Sequence, residues 1–191
     1  MQNAIIVHGS QSKRQYFDPT IPTASNSEWI PWLQKQLLLH DIQAYAPDMM
    51  HPYKPDYDYW KREVERFQIG PQTMLVGHSA GGGFWVRYLS EHPELRVGKV
   101  VLVAPWLDPN NIRQTIFFDF EFDPNIAERT AGLTIFHSTN DHEGISWSVQ
   151  MLLQILNNVH YVQFENYGHF CLDDMGTPAF PELLATLIGQ N

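Results

Sequence analysis

Residues 73–83 read Thr-Met-Leu-Val-Gly-His-Ser-Ala-Gly-Gly-Gly, and this stretch decides the fold. The apolar run Thr73 to Val76 leads into Gly77-His78-Ser79-Ala80-Gly81. Phe84, Trp85, Tyr88 and Leu89 then recur at helical spacing before Pro93. A run of strand length, a Gly-x-Ser-x-Gly turn and an apolar-striped helix together describe a nucleophile elbow. A serine on so sharp a turn takes a strained backbone conformation, and side chains two residues to either side would strike neighbouring backbone. Glycine at 77 and 81 removes that collision. The turn lifts the Ser79 hydroxyl above the sheet edge, while the first amides of the helix point toward charge developing on a substrate oxygen. The alternative is a glycine-rich helix start without chemistry, or one that cradles a phosphate. The rest of the chain has to outweigh it.

Working outward, apolar runs alternate with helical patterns along the whole chain. Asn3 to His8 reads as a first strand ending in His-Gly, and residues 9–26 read as a loop. Ser27 is placed to cap a helix carrying Trp29, Leu33 and Leu37, with Pro31 tolerated in its first turns. Ile42 to Ala46 gives a second strand, and Trp60, Val64 and Phe67 mark a helix after a Pro- and Tyr-rich loop. Gln72 to Val76 is the third strand, Lys99 to Ala104 the fourth, Leu133 to Ser138 the fifth and Val159 to Phe164 the sixth. Ile145, Val149, Leu152, Leu153 and Leu156 define a further helix, and Pro181 to Ile188 a closing one. Parallel strands need crossover helices, so this order predicts one α/β domain over residues 1–191. Its sheet is doubly wound and mostly parallel, with about six strands and its site at the strands' carboxyl ends.

Composition excludes several function classes. A chain of 191 residues with 43% hydrophobic residues can bury a full core without metal or disulfide support. The formal net charge of -9 disfavours a nucleic-acid partner, which needs clustered Lys and Arg. No stretch approaches transmembrane length, so no membrane association is expected. The N-terminal apolar run is too short and lacks the flanks of a secretion signal. With only Cys171 no internal disulfide can form, and the expected setting is cytoplasmic.

A serine hydroxyl is a weak nucleophile and needs a histidine base held by an acid. Asp141 follows the fifth strand in Ser138-Thr139-Asn140-Asp141, and His169 follows the sixth in Asn166-Tyr167-Gly168-His169-Phe170. The order Ser, Asp, His is that of α/β hydrolases. Asp108, after the fourth strand, is the rival acid, whereas Asp173 and Asp174 read as solvating the start of the last helix. Several histidines lie at strand ends, but no compact ligand motif is present, so neither a metal nor a cofactor is expected. Beside the Ala80 amide, the oxyanion hole should draw on the loop His8-Gly9-Ser10. Gly9 lets the backbone approach, and the Ser10 amide is favoured over those of Gly9 and Gln11. The aromatic stretch 105–132 is expected to wall an acyl pocket through Trp106, Phe118 and Phe120 or to pack as core beneath a short lid, with Trp147 and Met50 as further rims.

With these residues placed, the chain resembles the small serine hydrolases of the retinoblastoma-binding-protein type, including the bacterial YdeN-like members, within the α/β-hydrolase superfamily. The resemblance spans nearly the whole chain. It rests on His8-Gly9, Gly77 to Gly82, Phe118-Asp119-Phe120 with Phe122-Asp123-Pro124, Ser138 to Asp141, and Gly168-His169-Phe170. It implies Ser79 as nucleophile, Asp141 as acid and His169 as base, on a reduced sheet without a large cap domain. Two departures stand out: no proline soon follows the acid in Asn140 to Gly144, and the third glycine at 83 would loosen the helix start. The expectation is hydrolysis of a small ester or amide through an acyl-enzyme. The other classes left open are acyl transfer to a different acceptor and a hydrolase-like scaffold that binds a protein or small ligand with little turnover.

Overall fold

Each apolar run pairs with its neighbours in register, and the register sets where function can sit. In the computed structural model, which describes residues 2–112 and 115–189, the strands are β1 (Asn3–Val7), β2 (Gln43–Tyr45), β3 (Thr73–His78), β4 (Val100–Val103), β5 (Leu133–Ser138) and β6 (Val159–Phe164). They form one sheet in the order β2-β1-β3-β4-β5-β6, and every pairing is parallel. The expected mostly parallel sheet is therefore wholly parallel. β3, β4 and β5 are buried at every position, as suits continuous Val, Ile and Leu runs covered on both faces. Edge strand β2 alternates exposed and buried residues instead.

The helices are α1 (Lys13–Phe17), α2 (Ile30–Leu39), α3 (Tyr57–Val64), α4 (Ala80–Glu91), α5 (Glu143–Ile155), α6 (Leu172–Met175) and α7 (Pro181–Ile188). From β1 the chain steps to β2 on one side and then to β3 on the other. Right-handed crossovers accordingly put α2 on one face of the sheet and α3, α4 and α5 on the opposite face. Side-chain contacts agree: Trp29 at the start of α2 meets Phe180 at the start of α7 with ring centres 5.8 Å apart, and Trp60 of α3 meets Phe84 of α4 at 6.0 Å. Burying such rings fully is worth about 1.5–3 kcal/mol each. The reversal of direction lies between β1 and β3, where a crevice opens at the carboxyl ends of a doubly wound sheet.

Local chemistry explains some of the helix ends. Asp56 caps α3, its side chain accepting the Tyr59 amide at 3.1 Å, and Ser12 with Gln15 forms a capping box on α1. α1 and the 3-10 turn at Ala24–Asn26 fall in the 9–26 stretch that reads as loop, while α6 and the 3-10 turns at Ile116–Phe118 and Ile126–Arg129 lie where the sequence reading assigns no element. Ser27 does not cap α2. Its hydroxyl donates back to the Thr23 carbonyl at 2.9 Å, and the helix opens at Ile30 with Pro31 in its first turn. Trp29, Leu33 and Leu37 are buried as their spacing predicts, whereas Phe67 lies beyond the end of α3.

Candidate active site

Ser79 leaves β3 at φ 54°, ψ -119°, a conformation that costs a non-glycine residue about 1–3 kcal/mol and persists only where the surroundings enforce it. The enforcement is visible. The Ser79 amide donates to Val103 of β4 at 2.9 Å, and its carbonyl accepts the amides of Gly82, Gly83 and Trp106 at 2.9, 3.2 and 3.0 Å. A β-carbon on Gly81 would strike the Val7 carbonyl oxygen, so α4 can start this close to β1 only with glycine there. The third glycine does not loosen the helix as its sequence suggests. A β-carbon on Gly83 would collide with the Trp106 carbonyl oxygen and sit 2.6 Å from Phe118 Cε1. The run of glycines is the surface on which the stretch after β4 lies.

The loops after β5 and β6 meet above the sheet. His169 Nδ1 hydrogen-bonds both oxygens of Asp141, at 3.1 and 2.9 Å. The Asp141 side chain is only 1% exposed against 25% for the His169 side chain, so the carboxylate is sealed beneath a ring that still reaches the cleft. Three side chains fix the main chain that carries this ring. Ser138 Oγ accepts the Tyr167 amide at 3.0 Å, Asn140 Oδ1 the Gly168 amide at 2.9 Å, and Asp174 Oδ2 the His169 amide at 2.8 Å. Asp174 thus holds the His169 loop, a task that its place near a helix start does not reveal in the sequence. Asp108 sits elsewhere, buried at φ 48°, its carboxylate accepting the Ile112 amide at 2.8 Å.

A buried histidine sets the remaining backbone. The Met49 amide donates to His8 Nε2 at 2.9 Å, so the His8 proton is on Nδ1, which donates to the Gly9 carbonyl at 2.8 Å. The Gly9 carbonyl and the Ser10 N–H belong to one trans peptide and point in opposite directions, so His8 also aims the Ser10 amide. Gly9 itself lies against the elbow: a β-carbon there would be 2.9 Å from Ser79 Cβ. The Ala80 amide, first in α4, has no intrahelical acceptor, and the Ser10 hydroxyl is buried without a hydrogen-bond partner among the described residues. Burial holds the His8 imidazole below its ordinary pKa, which keeps Nε2 available as an acceptor. Burial also pushes the thiol of Cys171, two residues beyond His169, up to about 12, so it stays protonated near neutral pH.

Ser79 and His169 open into one cleft of about 810 Å³, walled by Ser10, Trp106, Asn110, Ile112, Trp147 and the 142–144 stretch. The two side chains make no hydrogen bond to one another in this structure, and such contacts commonly tighten only when substrate arrives. Of the three aromatics expected to wall the pocket, the structure brings Trp106 to the cleft. Phe118 packs edge-on beneath Trp106 at 5.2 Å and over Gly83, and Phe120 pairs with Phe122 at 4.4 Å. Trp147 is a rim, as its sequence position suggests, while Met50 supplies its carbonyl to the Trp60 indole and does not line the cleft. Ile112 and Asn110 were not legible as lining, because polarity does not tell which side of an irregular loop turns inward. Asp141, His142 and His169 also present one potential metal-ligand atom each within 4.8 Å of one another.

Comparison with known proteins gives the family. The family model described as serine hydrolase matches residues 19–188. YdeN of Bacillus subtilis (strain 168), whose name describes it provisionally as a hydrolase, is 30% identical over 178 residues, 89% of this chain and 92% of its own length. The crystal structure of the ydeN gene product superposes with a TM-score of 0.77 at 26% identity, covering 99% of this chain and 98% of the other. The esterase domain of a Rhodothermus marinus protein shares the fold at a TM-score of 0.61 and 16% identity, covering 97% of this chain and 86% of that one. The chain belongs to the serine hydrolase family.

Proposed function

We propose that this serine hydrolase cleaves small carboxylic esters, with amides as the harder substrates of the same site, through a covalent acyl-enzyme. The observation that carries the reading is the bond between His169 and a sealed Asp141 carboxylate, in the cleft onto which a strained Ser79 opens. In the proposed sequence Ser79 Oγ attacks the carbonyl carbon and passes its proton to His169 Nε2, while Asp141 stabilises the imidazolium through Nδ1–H. The tetrahedral oxyanion is received by the amides of Ala80 and Ser10, the latter aimed by His8. His169 then returns the proton to the leaving oxygen or nitrogen as the acyl bond breaks. Water, activated by the same ring, releases the acid and restores the serine.

Trp106, Ile112 and Trp147 favour an apolar acyl or alcohol group, and the wide cleft favours a small-molecule substrate. The proposed cycle runs on Ser79, His169, Asp141 and water, with no step assigned to a metal or cofactor. No helix among the described residues is long and apolar enough to cross a membrane. A cytoplasmic site of action is part of the reading, since the lone Cys171 asks for no oxidising compartment. Fluorophosphonate labelling together with hydrolysis of short p-nitrophenyl esters tests the proposal. Stoichiometric adduct on Ser79 and turnover lost in Ser79→Ala are expected. Folded protein that resists the label would leave a binding scaffold, and products transferred to added alcohols or amines in preference to water would make it an acyltransferase.

A further inference from the structure

One side chain at the cleft has no part in acyl transfer. His142 is exposed, directly follows the acid, and folds its ring over Gly144, where a β-carbon would approach His142 Nδ1 and Cε1 to 3.4 Å. Its backbone amide donates to Asp141 Oδ1 at 2.7 Å, but neither ring nitrogen has a hydrogen-bond partner among the described residues. The His142 and His169 rings lie 5.5 Å apart at an interplanar angle of 33°. One donor atom from each of Asp141, His142 and His169 lies within 4.8 Å of the other two.

We propose that Asp141, His142 and His169 form an inhibitory site for a borderline divalent cation of the Zn²⁺ class. Its inhibitory effect rests on the hydrolase reading above; its binding does not. Two imidazoles and one carboxylate are a donor set that suits Zn²⁺, Cu²⁺ or Ni²⁺ and not the all-oxygen preference of Mg²⁺ or Ca²⁺. Tetrahedral ligands about 2.1 Å from zinc lie roughly 3.4 Å apart. The Asp141–His169 pair already stands at 2.9 to 3.1 Å, so an exposed His142 has only to swing inward by roughly 1–1.5 Å, with water taking the fourth position.

The cation would stop catalysis by taking Nδ1 of His169, the nitrogen that faces Asp141. A neutral imidazole has one lone pair and one proton. During acyl transfer the proton faces Asp141 from Nδ1 and the lone pair on Nε2 awaits the serine proton. Metal on Nδ1 moves the ring proton to Nε2, which then donates where it must accept. The ring keeps one proton and the base is lost.

The test is calorimetric titration of the full chain with ZnCl₂, with CaCl₂ as control, alongside p-nitrophenyl ester hydrolysis expressed relative to each variant's own metal-free rate. One zinc per chain, inhibition reversed by EDTA, and at least about tenfold weaker binding and inhibition in His142→Ala are expected, a loss that even an outer-sphere partner can cause. Absence of zinc binding, or binding of equal strength in His142→Ala, overturns the proposal. Zinc binding that depends on His142 in a protein without ester turnover would support the metal site and count against the hydrolase reading. Normal turnover that zinc leaves untouched would do the reverse.

Discussion

His78 Nε2 donates to the main-chain carbonyl of His169 at 2.8 Å, so the residue before the nucleophile holds the residue proposed as its base. The two rings stand 4.9 Å apart. Burial, reinforced by the nearby His169, pushes the His78 pKa down to about 3, and a neutral ring facing a carbonyl must carry its proton on Nε2. Replacing His78 by Phe keeps a ring and removes the donor. The expected result is a kcat lower by roughly 10- to 100-fold with KM little changed, the penalty of a catalytic group displaced by about 1 Å. Stability should drop by about 1–3 kcal/mol for the stranded carbonyl. Steady-state kinetics and a urea melt of the same variant give both numbers; an unaltered kcat would mean that Ser138, Asn140 and Asp174 hold the loop without His78.

The same burial makes stability depend on pH. His8 and His78 are both lowered from 6.5, the latter to about 3. In the unfolded chain each takes up a proton near pH 6.5 while the folded state refuses it, so the unfolded state binds more protons below that point. Their contribution is complete above about pH 6.5 and is lost as pH falls, at up to about 1.4 kcal/mol per unit for each histidine. Unfolding free energies measured between about pH 7 and 5 should decline with that slope, and His78→Phe should remove one proton's share of it.

Gly83→Ala inverts the usual helix rule. Alanine normally stabilises a helix interior by about 1 kcal/mol relative to glycine. Here the added methyl would meet the Trp106 carbonyl oxygen and the Phe118 ring, and overpacking costs about 1–3 kcal/mol. A melting temperature below that of the parent protein is expected, together with weaker ester turnover because Trp106 is displaced. A gain in stability would show that the 105–106 stretch yields easily.

Asp141→Asn and Asp108→Asn separate the two acids that the sequence offers. The first leaves His169 without its carboxylate and should cut kcat by about 10⁴-fold. The second removes a charge from a buried turn, where the carboxylate accepts the Ile112 amide. It should alter stability and KM while leaving kcat within roughly tenfold. Equal losses of kcat in the two variants would argue against the assignment.

What could be read from residues alone was whatever lies contiguous in the chain. The β3 strand, its turn and α4 carry their signals within one stretch, and the termini of β5, β6 and α7 match their apolar runs residue for residue. Asp141 and His169 were legible as candidates because strand ends converge in a parallel sheet. The features that hold them were not. His8, Asn140 and Ser138 act through hydrogen bonds to main-chain groups far away in sequence, Asp174 through one five residues back, and a side chain's type does not say which amide it will meet. The aromatic segment failed for a related reason. Phe118 and Trp106 are chemically alike, but packing over Gly83 turns one under and leaves the other at the cleft.

The amide of Trp106 bonds the carbonyl of Ser79, and both rest on the glycine-lined start of α4. Wall and nucleophile thus move as one mechanical piece, anchored at the root of the arch that follows β4. Anyone wishing to retune the range of molecules accepted would do better to vary the outer rim, at Ile112 and Trp147, than to touch the hinge-free base. There the cutting edge and its handle are cast together.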